Sequence, residues 1–568
     1  MLENLASTRL LHWSTMVCGL VGLGWLLPNH YPPWLSFLSD AWTSAIALAG
    51  VLLFMPSAGR RIHVPWLAQL ALVVAAVPWM QFWGSLLPSI GYAWVYSAFL
   101  VAFAFAQVWG ANAEIRSPAS LVHTLFSVVL LAALLSVGLQ IYQAFEGAHL
   151  GLLVMWDDSG RPAANLGQPN QLATLLLWAL LALLWLTERQ RIGTVAGVVA
   201  ALVLLTGIAL TGSRSAWLGL MLMGCFVFLK KDLWRHKQLP LVCAALLFVF
   251  VGMVVLRQHS EWLSWLLFTD DPGQQNIHDI RLSADALANE SRIGVWRALL
   301  DAIRLRPWFG YGVGQVSMAQ MSVALDHGYL GYVFSYAHNL FLDFVVWFGV
   351  PTGGLLIALI SLWFYRTYRR LQHGDDCILF LTVVVIGNHA LLEMPLYYLY
   401  FLLPFGVFLG TLDSRVRVFG DRMISARWAW ISIAAAGLWW AVLIVDYMRI
   451  EESFQRLQLQ WHRIRTTPQT PYKPLMLKQW GVFFDGMALD PKAGMSASEI
   501  NSIQLGLLVY PTMVSFDMLA SSLALNGDIQ GAQEWLKRAC KSGNCASLKE
   551  TWQYKIAHDA RYGAVTFP

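Results

Sequence analysis

The chain has 568 residues, 57% of them hydrophobic and only 12% charged, with a mean hydropathy of +0.54. That balance excludes a soluble globular enzyme and describes a polytopic membrane protein, whose 28 tryptophans suit interfacial belts. The net charge of +5 is small and spread over loops, which argues against a nucleic-acid partner.

In chain order, thirteen apolar spans are predicted: 10–27, 36–56, 64–84, 91–110, 119–145, 168–187, 193–211, 215–230, 239–256, 339–365, 377–393, 396–412 and 428–446. Each is near the length a bilayer requires. The first follows Arg9, is followed by no small-residue cleavage site, and reads as a retained helix rather than a signal sequence. The fold class is therefore an all-α polytopic membrane protein with about 12 to 13 transmembrane helices.

The loops sort by charge. One set carries Arg60 and Arg61; Arg116; Arg189 and Arg191; Lys230, Lys231, Arg235 and Lys237; Arg366, Arg369 and Arg370; and Arg415, Arg417 and Arg422. The short loops 28–35 and 85–90 carry no Lys or Arg. The positive-inside rule makes the first set cytoplasmic and the N-terminus internal. Thirteen crossings then put 146–167, the turn 212–214, the long loop 257–337 and the segment 447–568 outside, in a bacterial periplasm. The expected organisation is N-terminal membrane helices (1–256), a large periplasmic loop (257–337), C-terminal membrane helices (338–446) and a soluble helical periplasmic domain (447–568).

Cys18, Cys225, Cys243 and Cys377 fall in or beside apolar runs and read as packing residues. Cys540 and Cys545 stand in a polar stretch without further metal ligands at zinc spacing; an external tail makes them a disulfide. Two amphipathic helices, 513–526 and 529–541, are expected around the Asn526-Gly527-Asp528 turn, similar to one helical-repeat hairpin.

Polar residues gather at the outer ends of the spans. Asn165-Leu-Gly-Gln168-Pro-Asn170-Gln171 opens the sixth span, where amides serve as capping groups or as readers of sugar hydroxyls and pyrophosphate oxygens. Arg214, within Gly212-Ser-Arg-Ser215, either snorkels to headgroups or binds phosphate in bidentate fashion. Arg292 and Trp296 are four apart on a predicted amphipathic helix that ends near Pro307, with Arg297 beside them. The glycines at 310, 312 and 314 form a tight loop whose backbone N–H groups are candidates for approaching an anion. His338 stands where the long loop re-enters the membrane and is the candidate base. Glu393-Met-Pro395 and Tyr397-Tyr398-Leu-Tyr400 form a late outer turn, one helical turn after His389.

In combination, the 165–171, 212–215 and 292–314 stretches, with His338-Asn339 and Glu393-Met-Pro395, resemble the O-antigen ligase and polymerase superfamily, and most nearly its PglL-type protein O-oligosaccharyltransferases. The resemblance implies a GT-C-like helical membrane fold in the inner membrane. It implies transfer of a preassembled glycan from undecaprenyl pyrophosphate to Ser or Thr hydroxyls of a protein such as a pilin. It maps the essential histidine to His338, the functional arginines to Arg214 and Arg292 with help from Arg297, the amide motif to Gln168 and Gln171, and a functional tyrosine to Tyr398. Glu-Met-Pro stands where the family pattern has Glu-Tyr-Pro. No cofactor is expected, because the arginines take the place of the metal used by many glycosyltransferases, and the outer loops carry no DxD pair. A lipid A-core ligase or a Wzy-like polymerase would share donor and fold; a flippase would differ in class.

Overall fold

A computed structural model describes residues 2–145, 153–155, 161–258, 292–461, 464, 471–543 and 545–568. Residues 259–291 of the long loop, and 146–152 and 156–160 of the earlier outer loop, lie outside the described residues.

Every predicted span is helical. Among the described residues ten helices are long and apolar enough to cross a membrane. The other three predicted spans fall short of that length. The first is Leu2–Cys18, continued by a 3-10 stretch Gly19–Trp25. The others are Arg214–Leu229, with 16 residues, and Gly374–Ala390, with 17. The 64–84 span is broken into Trp66–Val74 and Val77–Trp83, with Pro78 in the first turn of the second piece. The last span is far longer than predicted: Ala426–Trp461 runs 36 residues, because the polar stretch after the membrane keeps helical periodicity, with Arg456 on Glu452 at 2.5 Å one turn apart.

The chain divides into two compact units. The first comprises Met1–Ala75, Ala98–Asp271 and Ile360–Trp440. Its centre is a pair of helices, Pro169–Glu188 and Leu399–Val416, whose apolar windows are 78% and 89% buried, against 6% for Leu239–Leu256 on the outside. Leu172, Leu175, Leu176, Trp178, Leu181 and Trp185 are fully buried along the first of these. Gly110 and Gly410 let Ile90–Arg116 and Leu399–Val416 touch backbone to backbone: a Cβ on either would run into the other helix's main chain at Val407 or Gln107. At the arginine-rich end, Arg415 ties Glu114 (2.8 Å) to Asp376 (3.3 Å). Nearby, Arg61–Val64 pairs antiparallel with Arg422–Ser425.

The second unit comprises Ala76–Ser97, Pro272–Leu359 and Ala441–Pro568. Five helices make its tail: Lys478–Met487, Ala497–Val509, Met513–Leu525, Ile529–Ser542 and Ala546–His558. Capping boxes start two of them, at Ser496/Glu499 and Thr512/Ser515. The expected hairpin is present: Gly527 turns at φ 89°, Asp528 caps the next helix through the Gly531 N–H at 2.8 Å, and Ala520, Ala524, Ala532 and Leu536 are buried between the helices. Cys540 and Cys545 are joined by a disulfide, with Cα atoms 4.8 Å apart.

Candidate functional site

In the first unit the amide motif, the late tyrosine turn and Asp40 come together. Asp40, a carboxylate in the membrane helix Phe37–Phe54, is 1% exposed. A buried carboxylate needs donors, and among its donors are Ser36 Oγ at 2.6 Å, Trp34 Nε1 at 3.1 Å and, last, the Leu399 backbone N–H at 2.6 Å. The last of these anchors the start of the Leu399–Val416 helix and so fixes the turn that carries Tyr398 and Tyr400. Tyr400 donates to Gln171 Oε1 at 2.5 Å, and Tyr398 also meets the Gln171 amide. Burial pushes the Tyr398 phenol up to about 12, so it is a neutral hydrogen-bonding group at physiological pH.

The Pro169–Glu188 helix, which carries Gln171, is zipped to Gly374–Ala390 and the turn beyond it. Asn170 Nδ2 donates to Glu393 at 3.1 Å, Thr174 Oγ1 lies 2.7 Å from His389 Nδ1, and Trp178 Nε1 donates to the Thr382 carbonyl at 3.0 Å. Residues 170, 174 and 178 follow one helix face. Asn165 is wholly structural: its amide donates to the carbonyls of Leu26 and Leu153 at 2.8 Å and accepts from Met155 N–H at 3.0 Å. Gln171 is buried at 2%, whereas Gln168, extended and half-buried just before the helix, makes no capping bond with its side chain.

Arg214 is the first residue of Arg214–Leu229 and is exposed. Gly212 turns the chain at φ 59°, and Ser213 caps the helix through the Ala216 N–H. Asn388 Nδ2 holds the Ser215 carbonyl at 3.1 Å. A second guanidinium, missed in the sequence, reaches this turn: Arg161 Nε donates to the Thr211 carbonyl at 2.9 Å.

In the second unit His338 adopts φ 52°, a left-handed conformation that an L-residue with a Cβ rarely takes. Both flanks are pinned. Trp296 Nε1, on helix 292–305, donates to the Ala337 carbonyl at 2.7 Å, and Asp343 accepts from the Ala337 N–H at 2.8 Å. Asn339 caps the Leu340–Arg370 helix by accepting from the Phe341 and Leu342 N–H groups, both at 3.1 Å. Gln320, fully buried, accepts from Phe334 N–H at 2.7 Å and donates to the Tyr332 carbonyl at 2.9 Å; Phe334 then meets the His338 ring edge-on at 5.6 Å. Arg292 lies one turn before Trp296 on the face that docks beside His338, while Arg297 is exposed about 100° around the helix from Trp296.

The glycine loop does not hold an anion through the N–H groups of Tyr311, Gly312, Val313 or Gln315, contrary to the expectation. Tyr311 and Gly312 donate to the carbonyls of Val346 and Trp347 at 2.8 and 3.2 Å, Val313 to Gln81 Oε1 at 3.0 Å, and Gln315 to the Gly312 carbonyl at 3.2 Å. Gly310, at φ 69°, instead seats the loop against a kink at Gly349, where φ is 77° and ψ 170°, while Gly312 and Gly314, at φ 96° and 72°, pack against Leu87 and Tyr96.

Three families match this chain: a protein glycosylation ligase family over residues 162–186, the O-antigen ligase family over 199–359, and the C-terminal part of a virulence factor membrane-bound polymerase family over 377–542. A general O-oligosaccharyltransferase of Acinetobacter baylyi is 29% identical over 534 residues, 91% of this chain and 89% of that protein. A ComP-specific O-oligosaccharyltransferase of the same organism is 29% identical over 318 residues, 56% of each chain. The chain is similar to the PglL-type protein O-oligosaccharyltransferases of the O-antigen ligase superfamily.

It is a multi-pass membrane glycosyltransferase. The residues expected to serve this transferase fall within the matched segments: Gln168 and Gln171 in the first, Arg214, Arg292, Arg297 and His338 in the second, Tyr398 in the third. The structure divides them into two groups. Gln168, Gln171, Arg214 and Tyr398 belong to the first unit, and Arg292, Arg297 and His338 to the second. Two partners escaped the sequence reading, Asp40 and Arg161, and Tyr400 entered it only as part of the late outer turn. Asp40 offered the clearest signal, a carboxylate inside an apolar span.

Proposed function

We propose that this transferase moves a preassembled glycan from undecaprenyl pyrophosphate to Ser or Thr hydroxyls of proteins at the periplasmic face of the bacterial inner membrane, pilin-like proteins among them. The acceptor oxygen attacks the anomeric carbon as the bond to pyrophosphate breaks. The hydroxyl proton goes to His338, or is oriented by it, and undecaprenyl pyrophosphate leaves. A single displacement inverts the anomeric centre.

The observation that carries this reading is the conformation of His338. A strained residue persists only where its surroundings over-determine it, and such residues cluster at active sites. Here Trp296, Asp343 and Asn339 hold both of its flanks. Arg214 supports the anionic donor in a different way. It places a guanidinium at the first position of a helix, where backbone N–H groups and the macrodipole favour a bound anion. Arg161 doubles the positive charge at that turn. Arg214, Arg161 and Arg292 stabilise the charge that grows on the leaving pyrophosphate; Gln168 and the Tyr398–Gln171 pair serve the glycan or its phosphates. A protein acceptor is favoured by the two oligosaccharyltransferase relatives.

The test is intact-protein mass spectrometry of a pilin co-expressed with this chain in a cell that makes undecaprenyl-linked glycan but lacks its own ligase. A glycan-sized mass on Ser or Thr, lost with His338→Ala, is the expected result. Glycan on lipid A-core instead of protein would move the assignment to a lipid ligase. Relocated lipid without transfer would leave a flippase.

A further inference from the structure

We propose that a cavity at the far end of the Pro169–Glu188 helix binds the phosphodiester headgroup of an anionic phospholipid. The amide motif opens this 20-residue helix and Glu188 closes it, about 30 Å away at 1.5 Å per residue, so the cavity is remote from the residues discussed above. Its volume is about 850 Å³. Arg189, Arg191, Arg235, His123 and His373 line it, against two acids, Glu188 and Asp375.

Both acids are already engaged. Arg189 holds Asp375 at 2.5 Å, and Glu188 accepts from the backbone N–H groups of Arg235 and His236 at 3.0 and 3.4 Å. Arg191 is exposed and has no acidic partner among the described residues. The Arg235 guanidinium makes one long bond, 3.4 Å, to the Glu188 carbonyl. The cavity therefore presents uncompensated positive charge.

Its position selects a lipid over a soluble anion. The cavity lies where Ser120–Phe145 begins and Pro169–Glu188 ends, at headgroup depth for helices that cross a membrane. Basic pockets between helix ends at that level suit phospholipid headgroups. Directly after Arg191, the helix Thr194–Thr211 exposes Val195 (80%) and Val199 (56%), an apolar strip for acyl chains below a headgroup held by Arg191.

The experiment uses the purified full chain, delipidated in neutral detergent. Native mass spectrometry and thermal melts are recorded with phosphatidylglycerol, phosphatidylcholine or inorganic phosphate added. Phosphatidylglycerol is expected to be retained and to raise the melting temperature, with no such effect from the other two. Arg191→Gln should weaken retention about fivefold, the effect of one basic contact. Arg422→Gln, at an exposed arginine of the Arg422–Ser425 strand, should leave it unchanged. Undiminished retention by Arg191→Gln, or equal retention of phosphatidylcholine, overturns the proposal. Equal stabilisation by inorganic phosphate overturns it in favour of a soluble-anion site. If Arg191→Gln does not fold, the phosphatidylglycerol and phosphatidylcholine comparison on the wild type decides.

Discussion

The left-handed backbone of His338 costs an L-residue about 1–2 kcal/mol, and glycine would remove that cost while removing the imidazole. His338→Gly and His338→Ala should therefore both abolish transfer, yet part in stability. The glycine variant should melt within a few degrees of wild type, its relief of strain offset by the lost Phe334 ring contact, and the alanine variant below it. Glycosylation by mass spectrometry and melting temperature in detergent read the two effects separately. Tyr398 gives a pH signature. Its folded pKa, about 12, is raised above the ordinary tyrosine value of 10, so its contribution to stability is intact below pH 10 and is lost as pH climbs from 10 towards 12. Tyr398→Phe should flatten that alkaline loss in a melting-temperature profile. At this scale the sequence shows each residue's own chemistry, such as the imidazole of His338 and the guanidinium of Arg214. It was silent where meaning needs a partner. Nothing near Arg161 in the chain points to Thr211, 50 residues on, and the Gln171 amide takes on its role only when Tyr400 is folded against it.

Elements show where backbone geometry is fixed. At Gly349 the φ and ψ pair lies in a region essentially reserved for glycine, and a Cβ there would strike the Trp308 backbone. Gly349→Ala should destabilise the protein by about 3 kcal/mol, as strain plus overpacking, seen as a large drop in melting temperature. A second control point is Asp446, 1% exposed on the long Ala426–Trp461 helix. Its carboxylate accepts from Tyr472 Oη at 3.0 Å and from the N–H groups of Leu475, Met476 and Leu477 at 2.8, 2.9 and 2.8 Å, and so ties the start of the tail to that helix. Asp446→Ala strands those donors, a loss of about 3 kcal/mol. Limited proteolysis should then cut the tail much faster than in wild type. The apolar spans were legible because a bilayer demands long uniform runs. The glycine loop was misread because a sequence shows that N–H groups exist, not that Val346, Trp347 and Gln81 have already taken them.

For the whole molecule, the arginine distribution predicts sidedness. Alkaline phosphatase, active only after export, should be active when fused after residue 330 or 490 and inactive after residue 236; the reverse pattern would invert the topology. Hydropathy marked the ten helices that are long and apolar enough to cross a membrane among the described residues, but the division into two units was not legible, since each is assembled from three separated stretches of chain. The tail meets the rest of its own unit at one informative place. Lys541 Nζ donates to the His327 carbonyl at 2.6 Å, and the Lys541 carbonyl accepts from Leu330 N–H at 2.8 Å, beside the Cys540–Cys545 disulfide. That two-way clasp holds the strip leading into Phe334 and His338. A chimera built by exchanging C-terminal segments between relatives at residue 447 would cut the clasp in two. Any change in acceptor preference would then be confounded with a displaced histidine, unless residues 324–337 travel with the transplanted tail.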